Sequence, residues 1–215
     1  MTTYPNSPRL LKGAIISIGS ASPTPTVIPF QYNPESMSRT ISLSGEAGET
    51  TEQKEMRLQN PPRESMTVKV ELDATDQLEK ADPIAGLFGI HPQLAALELI
   101  LYPKSSGIIL NKVLLAAGMV EIIPAEQALI LFAWGGSRVV PVKITAFSIE
   151  ETEFDTKLNP IRATVTLTMN VLTYKDLGLT SVGGTIFMVH QVAKEVLATL
   201  GSAEGVSDIL RVTGL

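Results

Sequence analysis

Hydrophobic and polar residues alternate along several stretches of this chain, as they do in half-buried β-strands. The clearest stretch is 161–173, where every second residue from 163 to 171 is apolar and the residues between them are mainly polar. Residues 66–72 and 38–44 alternate in the same way, so each of these stretches predicts a strand with one buried face. Further strands are predicted at 11–19, 27–32, 128–134 and 139–150.

Turn-forming residues separate these strands and favour antiparallel pairing. Gly135 and Gly136 stand between two apolar segments and are typical of a tight hairpin. Residues 155–160 (DTKLNP) predict a second turn just before the strand at 161–173. Residues 45–63 are polar and contain two adjacent prolines, so we expect a long exposed loop or extended hairpin that contacts an adjacent subunit or layer.

Helical patterns are fewer. Residues 92–101 predict a helix that begins at a proline, whereas 105–120 fits a helix or an extended segment equally well. The segment 186–200 has helical spacing, a stop at Gly201 and a short amphipathic tail at 206–212 after it. Its apolar stripe is expected to dock on a β-domain, its own or a neighbour's: Ile186, Val189, Ala193, Val196, Leu197 and Leu200.

The order of these elements predicts the fold class. Strands come first, then one or two helices, a long hairpin, a final strand and a helical tail, which does not fit repeated βαβ units. We therefore expect a mainly β (β+α) protein, an antiparallel barrel or closely packed sandwich with a plugging helix. Three regions follow: an N-terminal arm at 1–10, a β-barrel domain at 11–176 and a C-terminal helical extension at 177–215.

Composition and charge restrict the function classes. The chain has no cysteine, which excludes disulfides, a thiolate nucleophile and cysteine-bound zinc. Its net charge is −5 and no basic stripe occurs, so nucleic acid and polybasic membrane attachment are not expected as partners. No signal peptide or membrane-spanning stretch is recognisable, and we expect synthesis in the cytoplasm without direct membrane insertion. The hydrophobic fraction of 44% is mostly aliphatic and favours burial between subunits.

No motif in the sequence indicates catalysis. The patterns of serine hydrolases, zinc proteases and nucleotide-binding loops are absent, and we expect no enzymatic activity, cofactor or metal. His91 and His190 are isolated from each other and favour structural or surface roles. An acidic run is typical of a solvated face that could meet a basic partner in an assembly: Glu150, Glu151, Glu153 and Asp155.

Three segments together resemble one known family. They are 28–39 (IPFQYNPESMSR), 138–144 (RVVPVKI) and 154–163 (FDTKLNPIRA). In this order they resemble the tube-protein family of contractile injection systems, which are phage-tail-like particles with a sheath around a rigid inner tube. The family motif falls on residues that would be structural or interfacial: Phe30, Tyr32, Asn33, Pro34, Arg39, Asn159, Pro160 and Arg162.

The resemblance implies a tube-like β-barrel that forms a hexameric ring. Such a ring would connect the spike or baseplate proteins to the inner tube protein, as a tube initiator or adaptor, or would close the opposite, cap-side end. Longer relatives carry a LysM module, whose signature is missing from 178–215. A ligand-binding β-barrel is the alternative from another class, and the aromatic content of 5% counts against it.

Overall fold

The computed structural model describes residues 11–19, 25–43, 60–102, 105–118 and 128–213, except for the side chains of 106, 110 and 203–213. Within these ranges the chain forms seven strands and six helices. The strands are β1 (Ala14–Ile18), β2 (Thr26–Pro29), β3 (Met37–Ser42), β4 (Arg63–Asp73), β5 (Leu129–Trp134), β6 (Arg138–Phe154) and β7 (Pro160–Val171). The helices are α1 (Thr75–Glu79), α2 (Pro83–Phe88), α3 (His91–Glu98), α4 (Ser105–Ala116), α5 (Tyr174–Leu177) and α6 (Val182–Thr213).

All seven strands belong to one antiparallel sheet in the order β2-β1-β5-β6-β7-β4-β3. This confirms the predicted mainly β, antiparallel class, and every stretch predicted as a strand contains one. The tight turn at Gly135 and Gly136 and the turn at 155–160 are confirmed as well. Within the described ranges no ladder joins β2 to β3, so these two strands are the edges of the sheet.

The alternation that predicts β4 and β7 has a direct structural cause. The two strands pair along nine positions, with Val70 opposite Val165, so their apolar residues share one face. On this face Met66, Val70 and Val165 are fully buried. Residues of β1, β5 and β6 join the same core, including Ile15 and Phe132, so the sheet curls around a single hydrophobic interior.

Strand β6 contains an irregularity that the sequence pattern does not indicate. Val140 and Val142 are buried, and then the register with β7 shifts between Ile144 and Ala146. A β-bulge of this kind inserts one extra residue and reverses which residues face inward. Phe147 consequently packs against the core despite its odd number.

Helices α1 and α3 contribute to the interior of the curled sheet. The predicted helix at 92–101 is confirmed by α3, which buries Leu94 and Leu97 in the core together with Ile90 just before it. Helix α2 begins where the Asp82 carboxylate accepts hydrogen bonds from the backbone of Ile84 (2.8 Å) and Ala85 (3.2 Å). The ambiguous stretch 105–120 contains a helix, α4.

Helix α6 corrects two expectations about the C-terminal segment. It runs for 32 residues, passing through Gly201 and including the tail, so Gly201 does not end it. Most of the apolar stripe does not dock on the chain's own sheet: Val189, Val196 and Leu200 are 66%, 54% and 60% exposed and Leu197 is exposed too, while Ile186 and Ala193 are half-buried.

The face of α6 that does meet the sheet carries polar residues. His190 is buried and Lys194 is bonded to Glu64 of β4, while Phe187 packs against the core. On this face Lys194 pairs with a carboxylate on the sheet, a contact that spacing within the helix cannot reveal. Docking of the apolar stripe on a neighbour stays a prediction.

Some expectations concern residues outside the description. Residues 45–59 of the predicted loop and the arm at 1–10 lie there, while Arg63, at the end of the predicted loop, already belongs to β4. Across the part of the chain that the structure describes, no helix is both long enough and apolar enough to cross a bilayer.

Candidate assembly surface

Phe30, the first residue of the family motif, is a core residue. It is 1% exposed, and its ring centroid lies 6.4 Å from that of Phe132 on β5. Its backbone N–H donates to the carbonyl of Gly13, 2.8 Å away, which continues the pairing of β2 with β1. Phe30 therefore fixes the end of β2 against the core.

The next motif residues lie in a segment that links the two edges of the sheet. We call residues 31–36 the strap, since they connect β2 to β3. Asn33 anchors it: its Oδ1 accepts from the N–H of Gly13 and its Nδ2 donates to the carbonyl of Leu11, both at 2.9 Å. Tyr32 and Pro34 line a surface hollow of about 380 Å³ between the strap and β4.

The side chain of Gln31 joins the strap to β4 with a pair of hydrogen bonds like those between neighbouring strands. The backbone N–H of Asp73 donates to Gln31 Oε1 at 3.0 Å, and Gln31 Nε2 donates to the carbonyl of Asp73. Strand β3 pairs with β4 only as far as Val68, so the backbone groups of Asp73 would otherwise lack a partner on this side. The side chain of Gln31 thus links β4 to the segment after β2, where no ladder between described strands closes the sheet.

Arg162, in the third motif segment, bonds to Asp73, the same residue that Gln31 of the first segment contacts. Its Nε and Nη2 donate to Asp73 Oδ2 at 3.0 and 2.8 Å, and its Nη1 donates to Glu153 at 2.9 Å. Burial alone would raise the pKa of Asp73, but hydrogen bonds from Thr75 and Arg162 hold this pKa below its ordinary value. Two segments more than a hundred residues apart are therefore brought to one end of the sheet.

Asn159 and Pro160 hold the β6–β7 turn against α2. Asn159 Nδ2 donates to the Asp155 carboxylate at 2.8 Å and to the carbonyl of Leu87 at 3.1 Å. The hydrogen bonds from Asn159 lower the pKa of Asp155. The carbonyl of Pro160 accepts from the N–H of Ile90 at 3.0 Å, so this motif places the start of α3.

Arg39 lies apart from the other motif residues and belongs to an ionic cluster. Its Nη2 is 2.6 Å from Glu64 Oε1, and Lys194 Nζ of α6 lies 3.3 Å from the other oxygen of the same carboxylate. Burial alone would raise the pKa of Glu64, but Arg39 and Lys194 together lower it below its ordinary value of 4.5. The cluster ties the edge strand β3, the strand β4 and the C-terminal helix together.

The roles of the motif residues give a first test. Gln31→Leu should lower the free energy of unfolding by about 1–3 kcal/mol, since it leaves the N–H and carbonyl of Asp73 without their partner. Tyr32→Phe is the matched control: the side chain is 45% exposed, and we expect a change within about 0.5 kcal/mol. Denaturant unfolding of both variants measures the difference, and equal stabilities would show that Gln31 does not close the sheet.

Large apolar side chains are exposed at both edges of the sheet. Val27 on β2 is 53% exposed, and Ile41 on β3 and Leu43 just after it are 57% and 73% exposed. Unpaired edges with apolar side chains are the surfaces through which strands pair with other chains. Helices α2, α4 and α6 also expose apolar residues, including Phe88, Ile109 and Val196.

In the described residues, the histidine and acidic side chains do not gather into a metal site. No group of three or more His, Asp or Glu side chains in the described ranges could hold a metal ion. His91 is exposed on α3, while His190 is buried far along the chain on α6. Glu150 and Glu151 are exposed, consistent with a solvated acidic face, and Glu153 pairs with Arg162.

No model of a known protein family matches the chain, and no curated protein is significantly similar to it.

Proposed function

We propose that this chain is a structural subunit of a contractile injection system. In this proposal it forms a ring, most simply of six copies, that connects the spike or baseplate to the inner tube. The supporting observation is that, in the described part of the chain, one sheet ends in two different edge strands without a further partner, β2 and β3, both with exposed apolar side chains. Two different surfaces on one subunit suit head-to-tail contacts, which close into a ring when the rotation allows it.

The interior of the sheet supports a structural role over ligand binding. Core residues from five strands and from α3 are nearly inaccessible to solvent, so side chains fill the interior. The hollows beside the strap lie at the surface and are lined by charged residues such as Lys69 and Glu71. Most of the motif residues have structural partners, with Tyr32 exposed, as expected for a subunit that works by assembly.

The proposal predicts that charges on the sheet edges block assembly without unfolding the subunit. Val27→Lys and Ile41→Lys each place an ammonium group on an exposed edge position, where isolated-chain stability should change by about 0.5 kcal/mol or less. Incorporation into particles should fall at least about tenfold, because a charge in an apolar interface is strongly unfavourable. Ser148→Lys, on an exposed position of the central strand β6, is the control.

The measurement is electron cryomicroscopy of assembled particles together with quantification of the subunit in them. We expect one closed ring between spike and tube, and its absence when either edge variant replaces the natural chain. If the ring is found at the cap-side end, the chain is still a structural subunit of the particle, but at the opposite end of the tube from the one proposed. A single copy per particle, or particles that form equally well with both edge variants, would refute the proposal.

A further inference from the structure

His190 occupies an unusual place between α6 and the sheet. The residue is only 7% exposed, and neither ring nitrogen makes a hydrogen bond of good geometry within the described residues. A buried imidazole without partners gains nothing from carrying a proton, because a buried charge without compensation is strongly unfavourable. The docked helix therefore favours the neutral ring.

The charged groups around His190 reinforce this preference. Lys194 lies one turn further along α6, Glu64 comes from β4 and Arg138 from the start of β6. Arg39 of β3 shares the Glu64 carboxylate with Lys194, so two cations contact this anion and Arg138 is a third cation in the group. Burial and the charge of Lys194 lower the pKa of His190, and they outweigh the nearby backbone of Ser137 and the Glu64 carboxylate, which favour the protonated ring.

We propose that His190 is an acid-sensitive latch that holds α6 on the sheet while its ring is neutral and releases the docked part of the helix when the ring is protonated. Protonation would add a fourth positive charge to a cluster in which the Glu64 carboxylate is already shared by two cations. Release would give the ring water as a hydrogen-bonding partner and would separate it from Arg138. The β-domain, whose core does not contain His190, would stay folded.

The direction of the pH dependence follows from linkage. Since the pKa of docked His190 lies below the ordinary 6.5, the released helix binds the proton more tightly than the docked helix. Docking is at full strength above pH 6.5 and weakens as the pH falls below it, until the docked-state pKa is passed. Glu64, with its lowered pKa, loses its charge only below 4.5, so its contribution falls in a separate, more acidic window.

The latch can be followed with two spin labels, because the chain has no cysteine of its own. Cysteines replace Val192 on α6 and Ser148 on β6, and the distance between the labels is measured by pulsed electron resonance from about pH 7.5 to about pH 5, on either side of the ordinary histidine pKa. We expect one docked distance at the upper end of this range and a growing second population below pH 6.5. The ratio of docked to released helix should fall by up to about tenfold per pH unit.

Three variants in the labelled chain make the test specific. His190→Leu cannot be protonated and should keep the docked distance throughout the range, whereas His91→Leu should leave the transition unchanged. Lys194→Gln removes the cation whose charge lowers the pKa of docked His190, so the docked and released helices should bind the proton more equally and the pH dependence of release should become weaker.

A second readout follows the ring itself by nuclear magnetic resonance. We expect the His190 imidazole to titrate below 6.5 while backbone signals of β4 and β7 stay in place. If the transition persists in His190→Leu, if Lys194→Gln leaves its pH dependence equally strong, or if the ring titrates at its ordinary pKa or above, the proposal is wrong.

Discussion

Gly89→Ala should destabilise the protein by about 3 kcal/mol or more, because two separate penalties act on the same new methyl group. Gly89 ends α2 with φ +59°, a backbone conformation that strains residues with a side chain. A Cβ built there would lie 2.2 Å from the carbonyl oxygen of Pro160, which belongs to a paired strand and cannot swing away. The same carbonyl receives the N–H of Ile90, so relief of the clash would displace α3 from the core.

Gly86→Ala is the matched control for this prediction. Gly86 lies three residues earlier in α2, is exposed, and would have no described atom within 4 Å of an added methyl group. Alanine should therefore stabilise the helix by up to about 1 kcal/mol. In thermal unfolding we expect a decrease in Tm of roughly 6–12 °C for Gly89→Ala and no decrease for Gly86→Ala. Similar Tm values for the two variants would contradict the contact between α2 and Pro160.

The strands were predictable because their periodicity has a simple cause. Residues of β4 and β7 alternate between a core and solvent, and a two-residue period has no competing explanation at that length. The helix at α3 was predictable from Pro92 and the leucines that follow. These features depend on local sequence and on one buried face, which is the information that a single sequence contains.

Other features depend on contacts that no local pattern encodes. The bulge in β6 reverses the inward face after Ile144, so its two halves look like one inconsistent strand in the sequence. The face of α6 that meets the sheet includes Lys194, which pairs with Glu64, more than a hundred residues away. Apolar spacing identifies the most hydrophobic stripe of a helix, and here that stripe is not the one that the chain itself buries.

The candidate assembly surface also combines residues that the sequence indicates with residues that only the fold reveals. The family motif includes Asn33, Asn159 and Arg162, and each has a specific structural partner in the fold. Gln31 and Asp73, which bring the motif segments together, are not among the motif residues. Gln31 stands within the first motif segment, and its place at the end of a strand that precedes a turn is the signal that could have identified it.

Gly184→Ala should also cause a large loss of stability, of about 2–4 kcal/mol, by forcing α6 away from α5. Gly184 is buried in the first turn of α6, where a Cβ would lie 2.0 Å from the carbonyl oxygen of Gly178. The N–H of Gly184 donates to Ser181 Oγ at 3.0 Å, so the turn is held from both sides and cannot open freely. The start of α6 would have to shift, separating Phe187 from Tyr174, whose ring centroids are 6.1 Å apart.

Gly201→Ala lies in the same helix and provides the opposite expectation. Gly201 would have no described atom within 4 Å of an added methyl group, so alanine should increase helix stability by up to about 1 kcal/mol. Denaturant unfolding of both variants compares the effects, and hydrogen exchange of α6 amides locates them. We expect faster exchange at the start of α6 in Gly184→Ala only, because its clash is with the turn that precedes the helix. Unchanged exchange in that variant would mean that the start of α6 is not packed against Gly178.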